Sequence, residues 1–508
     1  MDAASLLAAW TTVRQPIERS LPAFLSGQRW FGGKTRVIRS ADIVDLLPIP
    51  LEEAPAAIVL ARIAYADGVT ETYSVPLVEQ AGGGARVFAD ALWNRPFLVL
   101  LFEAVSRSRS FPGLVGELAG LPTGTLEALR RSAAAPLEPA VMKAEQSNTS
   151  ILYGRSFVLK FFRHVEEGVN PDCEIGEFLS VRAGFRHVPP AAGSFEYRRP
   201  GALPATLGIL QGYVANRGDA WRLTLGTLDG FYERAASRGP AVPVSEALPA
   251  GEPLGEFRDA ARLLGRRTAE LHLALASDPN DPNFAPEPFS LDYQREVSAA
   301  MIALARETFG MLRRQAEGLP TGVAKRARQV LAAEREILGR FGQLGQRPLG
   351  GLRMRIHGDL HLGQVLATKD DFIFLDFEGE PARTLAERRA KHSPLRDVAG
   401  MLRSFHYAAY AALFRRAGEA GAAAPSFAAL APLATAWTGA ASAEFLGSYL
   451  ETAAGAPFLP PQREEFGFFL ALWLLDKAIY ELKYELNHRV DWVAIPLEGI
   501  CGLLDAGD

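Results

Sequence analysis

Ile356 to Pro381 reads IHGDLHLGQVLATKDDFIFLDFEGEP. His357 to Gln364 has no hydrophobic period long enough for a helix, and its glycines suit a tightly folded loop. Phe372 to Leu375 is a short aromatic and β-branched run that reads as a buried strand, with Asp376 at its end. The stretch thus joins two acidic positions, Asp359 and Asp376, through a loop, a turn and a strand. Phosphoryl transfer requires such a pair: one carboxylate orients and deprotonates an attacking hydroxyl, and the other holds the metal that bridges the phosphates.

The surrounding chain is that of an ordinary globular protein. At 508 residues it is too long for one compact core, so two or three domains are expected. Hydrophobic residues make up 48% and charged residues 22%. With 54 basic against 58 acidic side chains and no block of like charges, a nucleic-acid partner is not expected. Cys173 and Cys501 are the only cysteines, which excludes a disulfide framework or a zinc site built on cysteine spacing. The opening MDAASLLAAWTTVRQPIERS has no basic leader region. The longest apolar run, Phe466 to Leu475, is half of what a membrane span needs. No membrane partner is expected, and a cytoplasmic location is.

Ser5 to Leu21 has the period of an amphipathic helix, and Gln28 to Lys34 (QRWFGGK) reads as an aromatic anchor followed by a glycine turn. Strand-like runs follow at Arg36–Leu46, Ala57–Tyr65 and Thr70–Pro76. Val141–Glu145 and Ser150–Tyr153 flank a polar turn, Gln146 to Thr149, whose hydroxyl, amide and backbone N–H groups can cradle phosphate oxygens. The next strand, Ser156–Phe162, carries Lys160 between apolar neighbours, and a half-buried lysine needs a carboxylate or a phosphate. Pro171 to Arg182 then opens a helix containing Glu174 and Glu177. Thr206 to Val214 reads as a buried strand ending in a polar break.

Beyond residue 215 the pattern is almost entirely helical outside the opening stretch, with periodic segments at Trp221–Arg238, Phe257–Ser277, Val297–Glu317 and Thr321–Gly342. Gly239 to Gly255 reads as a surface connector. Ala408 to Ala436 reads as helix with a Gly/Ala/Pro-rich middle, and His272 reads as a structural histidine. The last long helix, Phe466–Asn487, is apolar first and polar later. Tyr480 and Tyr484 are four apart and share one face. They suit either the apolar face of a sugar or packing onto the core.

The HGDLHLGQ loop, the LDFEGEP turn and the downstream SPLRDVAGMLRSFHYAA (Ser393 to Ala409) resemble the protein-kinase-like phosphotransferases that act on small molecules, and most closely the bacterial maltokinases. RWFGGK, the SNTS turn and YELKYELNHR (Tyr480 to Arg489) extend the likeness over nearly the whole chain. The resemblance implies an α+β, two-lobed protein-kinase-like fold: an N-terminal cap over residues 1–88, a small lobe over 89–214 and a mainly helical lobe over 215–508. It implies ATP-dependent phosphorylation of maltose at its anomeric hydroxyl, feeding α-glucan synthesis, by a monomer working beside an enzyme that interconverts trehalose and maltose.

Residue by residue, the resemblance makes Asp359 the base and Asp376, with Gln364, the magnesium ligands. Gln364 stands where kinases usually have the shorter asparagine. Lys160, held by Glu174, would contact phosphate oxygens; Ser147, Asn148, Thr149 and Ser150 would cover them. The backbone of Gln211, Tyr213 and Val214 would bond the adenine of ATP. Tyr480, Glu481 and Tyr484, with His361 and Arg403, would meet the acceptor. Asp397 would brace the catalytic loop. Two rival readings stay open: a kinase for glucosamine or an aminoglycoside on the same scaffold, and a catalytically dead sugar- or nucleotide-binding regulator.

Overall fold

The computed structural model describes residues 3–52, 54–80, 87–133, 136–142, 147–236, 253–346, 348–419 and 427–505. The chain divides into two compact units, Met1–Ala215 and Asn216–Asp508.

The first unit is built on two antiparallel sheets. Ile38–Ile49, Ala56–Tyr65 and Thr70–Gln80 form a meander. The free edge of its third strand pairs with Val87–Asp90 at one end and with His164–Val165 at the other. The amphipathic helix expected over Ser5–Leu21 is two helices, Ala3–Thr12 and Arg14–Ser26. Trp10, Ile17, Leu21 and Leu25 bury one face of the meander together with Trp30, Phe31, Tyr65 and Tyr73. The RWFGGK motif is thus an aromatic anchor. A Cβ on Gly33 would stand 2.2 Å from the Tyr65 hydroxyl, so only glycine lets the chain pass. Lys34 donates to the backbone oxygen of Arg29 in the same turn.

The opposite face of the meander (Leu47, Ile58, Leu60, Val78) belongs to one core with the helix Arg95–Ser106 and the second sheet (Ile151, Leu159, Phe195). A border at residue 88 therefore falls inside the strand Val87–Asp90 and across a shared core. Asp45, fully buried, pins the two parts: it accepts from the backbone N–H groups of Leu114, Val115 and Gly116 and from the Tyr197 hydroxyl. The second sheet has seven strands, in the order Ser110–Pro112, Glu117–Pro122, Ala191–Arg198, Ala205–Gly212, Phe157–Phe161, Thr149–Tyr153, Pro139–Val141.

The second unit is helical apart from a small hairpin, Val365–Ala367 with Phe372–Phe374, and a short pairing of Glu287–Pro288 with Leu352–Arg353. Its long helices are Ala220–Ala236, Phe257–Leu275, Leu291–Gln315, Leu395–Glu419, Phe427–Thr452 and Arg463–His488. The periodic run expected as one helix over Thr321–Gly342 is interrupted at Ala333, giving Thr321–Ala332 and Glu334–Gln343. Most of the Gly239–Gly255 connector and the middle of the Ala-rich tract lie outside the described residues. No helix among the described residues is long and apolar enough to cross a membrane.

Candidate active site

His357 to Gln364 forms the expected irregular loop, and its shape is held from behind. Asp397, in the first turn of the helix Leu395–Glu419, accepts from the backbone N–H of His357 (2.7 Å) and of Gly358 (2.9 Å). Its Oδ2 also lies 3.3 Å from His272 Nε2, and His272 Nδ1 lies 2.8 Å from the Tyr449 hydroxyl. Burial alone would raise the Asp397 pKa; His272 and the loop amides outweigh it and hold the carboxyl below its usual range. His272 is therefore structural, as its sequence context suggests, but it backs the residue that braces the loop. The helix can lie this close because Gly400 has no side chain: a Cβ there would meet the Leu360 carbonyl oxygen at 2.5 Å.

The loop is tied to the hairpin by His357, whose Nε2 lies 2.9 Å from the Leu375 carbonyl oxygen and whose ring packs on Phe377. Asp376, the next residue, adopts φ +64°, a left-handed conformation that costs a non-glycine residue about 1–3 kcal/mol and that aspartate tolerates better than most. Gln364 Nε2 donates to Asp376 Oδ2 at 2.8 Å. Oxygens of Asp376 and Glu378 lie within 4.8 Å of one another. Two carboxylates and an amide oxygen are hard donors that suit a small divalent cation.

A second charge centre lies beside this loop. Glu380, only 4% exposed, accepts from Arg383 Nε (2.6 Å) and Arg396 Nη2 (2.7 Å) and receives Lys477 Nζ at 3.1 Å. The same Lys477 Nζ lies 3.0 Å from Asp359 Oδ1. Burial would raise the Glu380 pKa, but Lys477, Arg396 and Arg383 hold it far below the ordinary carboxylate range. Burial would likewise lower Lys477, and Asp359 and Glu380 reverse that.

Glu380→Gln should therefore destabilise the fold by about 3–5 kcal/mol at pH 7, the usual result of stripping one partner from buried charges. The sign with pH follows from the depressed value. The unfolded chain takes up a proton near pH 4.3 while the folded one keeps Glu380 ionised. The stabilisation is then complete above about pH 5 and is lost as the pH falls below about 4. Urea unfolding of both proteins at pH 7 and pH 4 should show the gap narrowing, and an equal gap at the two pH values would refute it.

Tyr480 and Tyr484, four residues apart on Arg463–His488, line a cavity of about 360 Å³ together with Glu380, Arg383, Asp476 and His488. Tyr484 is 45% exposed, so it is not a core tyrosine. The Tyr480 hydroxyl, chiefly through burial and then through Glu380, is pushed up to about 12. Asp476 accepts no hydrogen bond from any described residue, and burial pushes its carboxyl up to about 6 against the pull of Arg396 and Arg383. Two other expected acceptor contacts are engaged elsewhere. Arg403, 3% exposed, pairs with Glu481 (Nη2 to Oε2, 2.6 Å) between two helices. Glu481 is about 100° round the helix from Tyr480 and so leaves the cavity wall. His361 stays in the His357–Gln364 loop, its Nε2 3.8 Å from Asp359 Oδ2.

In the first unit, Lys160 Nζ lies 3.1 Å from Asp172 Oδ2. Asp172 is 2% exposed in the first turn of Pro171–Glu177, behind an Asn170 cap and Pro171. Nothing in the sequence marks it above Glu174 and Glu177 as a partner for Lys160; the Asn-Pro start of the helix, which places it in the first turn, is the available signal.

The expected phosphate turn is shorter than its sequence suggests. Ser147 and Asn148 form a bend, whereas Thr149 and Ser150 are buried in the strand Thr149–Tyr153. Strand register decides this: Ser150 stands across from Lys160, and Thr149, across from Phe161, accepts from Arg163 Nε at 3.0 Å. Arg163 also pairs with Asp90 (2.6 Å) and lies over the Trp30 ring, linking the RWFGGK anchor to this turn. Gln146 lies outside the described residues. At the end of Ala205–Gly212 the N–H groups of Gly212 and Tyr213 are spent on the carbonyls of Pro190 and Ser156. Those two N–H groups are therefore not offered to an adenine edge.

Residues 24–92 match the maltokinase N-terminal cap domain family. The chain is also similar to the glucosamine kinase of Mycolicibacterium smegmatis, 27% identical over 72% of this chain and 79% of the relative. Against the glucosamine kinase of Streptacidiphilus jiangxiensis it is 24% identical over 85% of this chain and 86% of the relative. The chain is thus similar to small-molecule kinases over most of its length, and to the maltokinase cap over residues 24–92. The fold agrees with that similarity. A glucosamine kinase solved with glucosamine, ADP and inorganic phosphate superposes with a TM-score of 0.61 at 22% identity, over 92% of this chain and 94% of the other.

Proposed function

We propose that this kinase transfers the γ-phosphoryl group of ATP to the anomeric hydroxyl of maltose, giving maltose 1-phosphate. The observation that supports it best is Asp359 on a loop whose backbone is bonded to Asp397 and tied through His357 to the strand end bearing Asp376. Asp359 accepts the proton of the sugar hydroxyl as its oxygen attacks the γ-phosphorus; the bond to the β-phosphate oxygen breaks and ADP leaves. Asp376, Gln364 and Glu378 would hold magnesium. The ion, when bound, neutralises charge on the phosphates. Lys160, fixed by Asp172, with Ser147 and Asn148, would contact phosphate oxygens.

The maltokinase-type cap and the two tyrosines support a disaccharide acceptor: one ring face on Tyr480 and Tyr484, hydroxyls toward Arg383 and Asp476. Because Tyr484 is exposed, Tyr484→Ala should leave thermal stability near wild type. It should raise the KM for maltose by about 5- to 150-fold, the scale of 1–3 kcal/mol for a lost polar and stacking contact, with the KM for ATP unchanged. A maltose KM equal to wild type would remove Tyr484 from the acceptor site.

Asp476 favours a second reading. A carboxylate without a hydrogen-bond donor, facing a cavity, suits an ammonium group, and the similar proteins are named glucosamine kinases. A panel of maltose, glucosamine, glucose and an aminoglycoside, assayed with ATP and magnesium, decides between them. The reading stands if kcat/KM is highest for maltose and yields to the second if it is highest for glucosamine.

A further inference from the structure

Lys477 touches both Asp359 and the buried charge centre, and it comes from the helix Arg463–His488, 118 residues away from that aspartate. Its Nζ is shared between Asp359 Oδ1 (3.0 Å) and Glu380 Oε1 (3.1 Å) and lies 4.8 Å from the Tyr480 ring. Glu380 carries one negative charge and faces three cations, Lys477, Arg383 and Arg396. The arginines take Oε2 and Lys477 takes Oε1. Glu380 therefore cannot neutralise the three cations by itself, and Lys477 takes a second carboxylate, that of Asp359.

The geometry sorts the two oxygens of Asp359. Oδ1 is held by Lys477, whereas Oδ2 lies 3.8 Å from His361 Nε2, beyond hydrogen-bond reach. A base that rotates freely must be ordered at each turnover, while one held by a buried, hydrogen-bonded cation is already aimed. Lys477, Tyr480 and Tyr484 are at i, i+3 and i+7 on one helix, so they share a face. The residues that meet the acceptor cavity and the residue that holds the base thus belong to one rigid element.

We propose that Lys477 is a positioning residue. It fixes the Asp359 carboxylate with Oδ2 presented to the acceptor hydroxyl, and Glu380, clamped by Arg383 and Arg396, fixes Lys477. This rests on the reading of Asp359 as the base. Lys477 acts through Asp359, so its loss matters only while the aspartate is there.

The test is a double-mutant cycle on the full chain with the best acceptor of the panel. Lys477→Met should lower kcat by about 10- to 100-fold, the scale of a small misplacement of a reacting group, with the KM for ATP unchanged. Lys477→Arg, which keeps the charge, should recover most of that loss. Asp359→Asn with Lys477→Met should be no slower than Asp359→Asn alone, because effects of residues acting as a unit do not multiply. Losses that multiply, or a Lys477→Met enzyme at wild-type kcat, overturn the proposal. Failure of the base assignment looks different: Asp359→Asn alone would then turn over like wild type. If the methionine variant does not fold, Lys477→Gln, which keeps a donor and most of the stem but not the charge, enters the same cycle with the same outcomes.

Discussion

Asp359→Asn is expected to lower turnover by about 100- to 10,000-fold, the contribution of a positioned general base, while the KM for ATP stays near wild type. The substitution is nearly isosteric, and the amide oxygen can still accept from Lys477 where Oδ1 does now. The loop itself depends on Asp397 and His357, which are untouched. What is lost is the capacity to take the acceptor's proton as its oxygen attacks. Steady-state kinetics with the preferred sugar, beside calorimetric ATP binding, separates this from a general loss of fold. Turnover within about threefold of wild type would sink the assignment.

Asp376→Ala should have an effect of similar size for another reason. The phosphates would lose the protein carboxylate that holds their bridging cation, and removing one electrostatic contact to the transition state costs about 100-fold or more. Alanine is also poorly suited to the left-handed φ of +64°. Asp376→Asn, which tolerates that conformation, therefore serves as the partner variant. Both should lose magnesium-dependent activity, and both should weaken the magnesium-dependent part of ATP binding measured by calorimetry. If either binds magnesium and ATP together as wild type does, the metal role belongs to other residues.

The irregular loop His357–Gln364, the short strand and the placing of the two aspartates beside them were legible because each is specified within a few residues. Glycines mark the loop, a four-residue aromatic run marks the strand, and the acidic residue follows directly. The same holds for the meander strands and the helix Arg463–His488, whose periods of about 2 and 3.6 are local properties. The polar turn was only half legible. Ser147 to Ser150 are alike in character, and it is the register against Phe157–Phe161 that buries Thr149 and Ser150 and leaves the first two in the bend.

Charge pairing was the least legible. The sequence by itself determined that a half-buried Lys160 needs a carboxylate or a phosphate, that the last long helix changes from apolar to charged at Asp476, and that Tyr480 and Tyr484 share a face. Only the tertiary structure decided that Asp172 meets Lys160, that Arg403 and Glu481 satisfy each other between helices, and that Lys477 crosses to Asp359 and Glu380. The physical reason is that a charge at the surface has many acceptable partners at little cost, whereas a buried one must find a partner among whatever elements pack around it. Those elements lie 78 to 118 residues apart for Arg403, Glu380 and Lys477. Their meeting is a property of helix packing that no local pattern encodes.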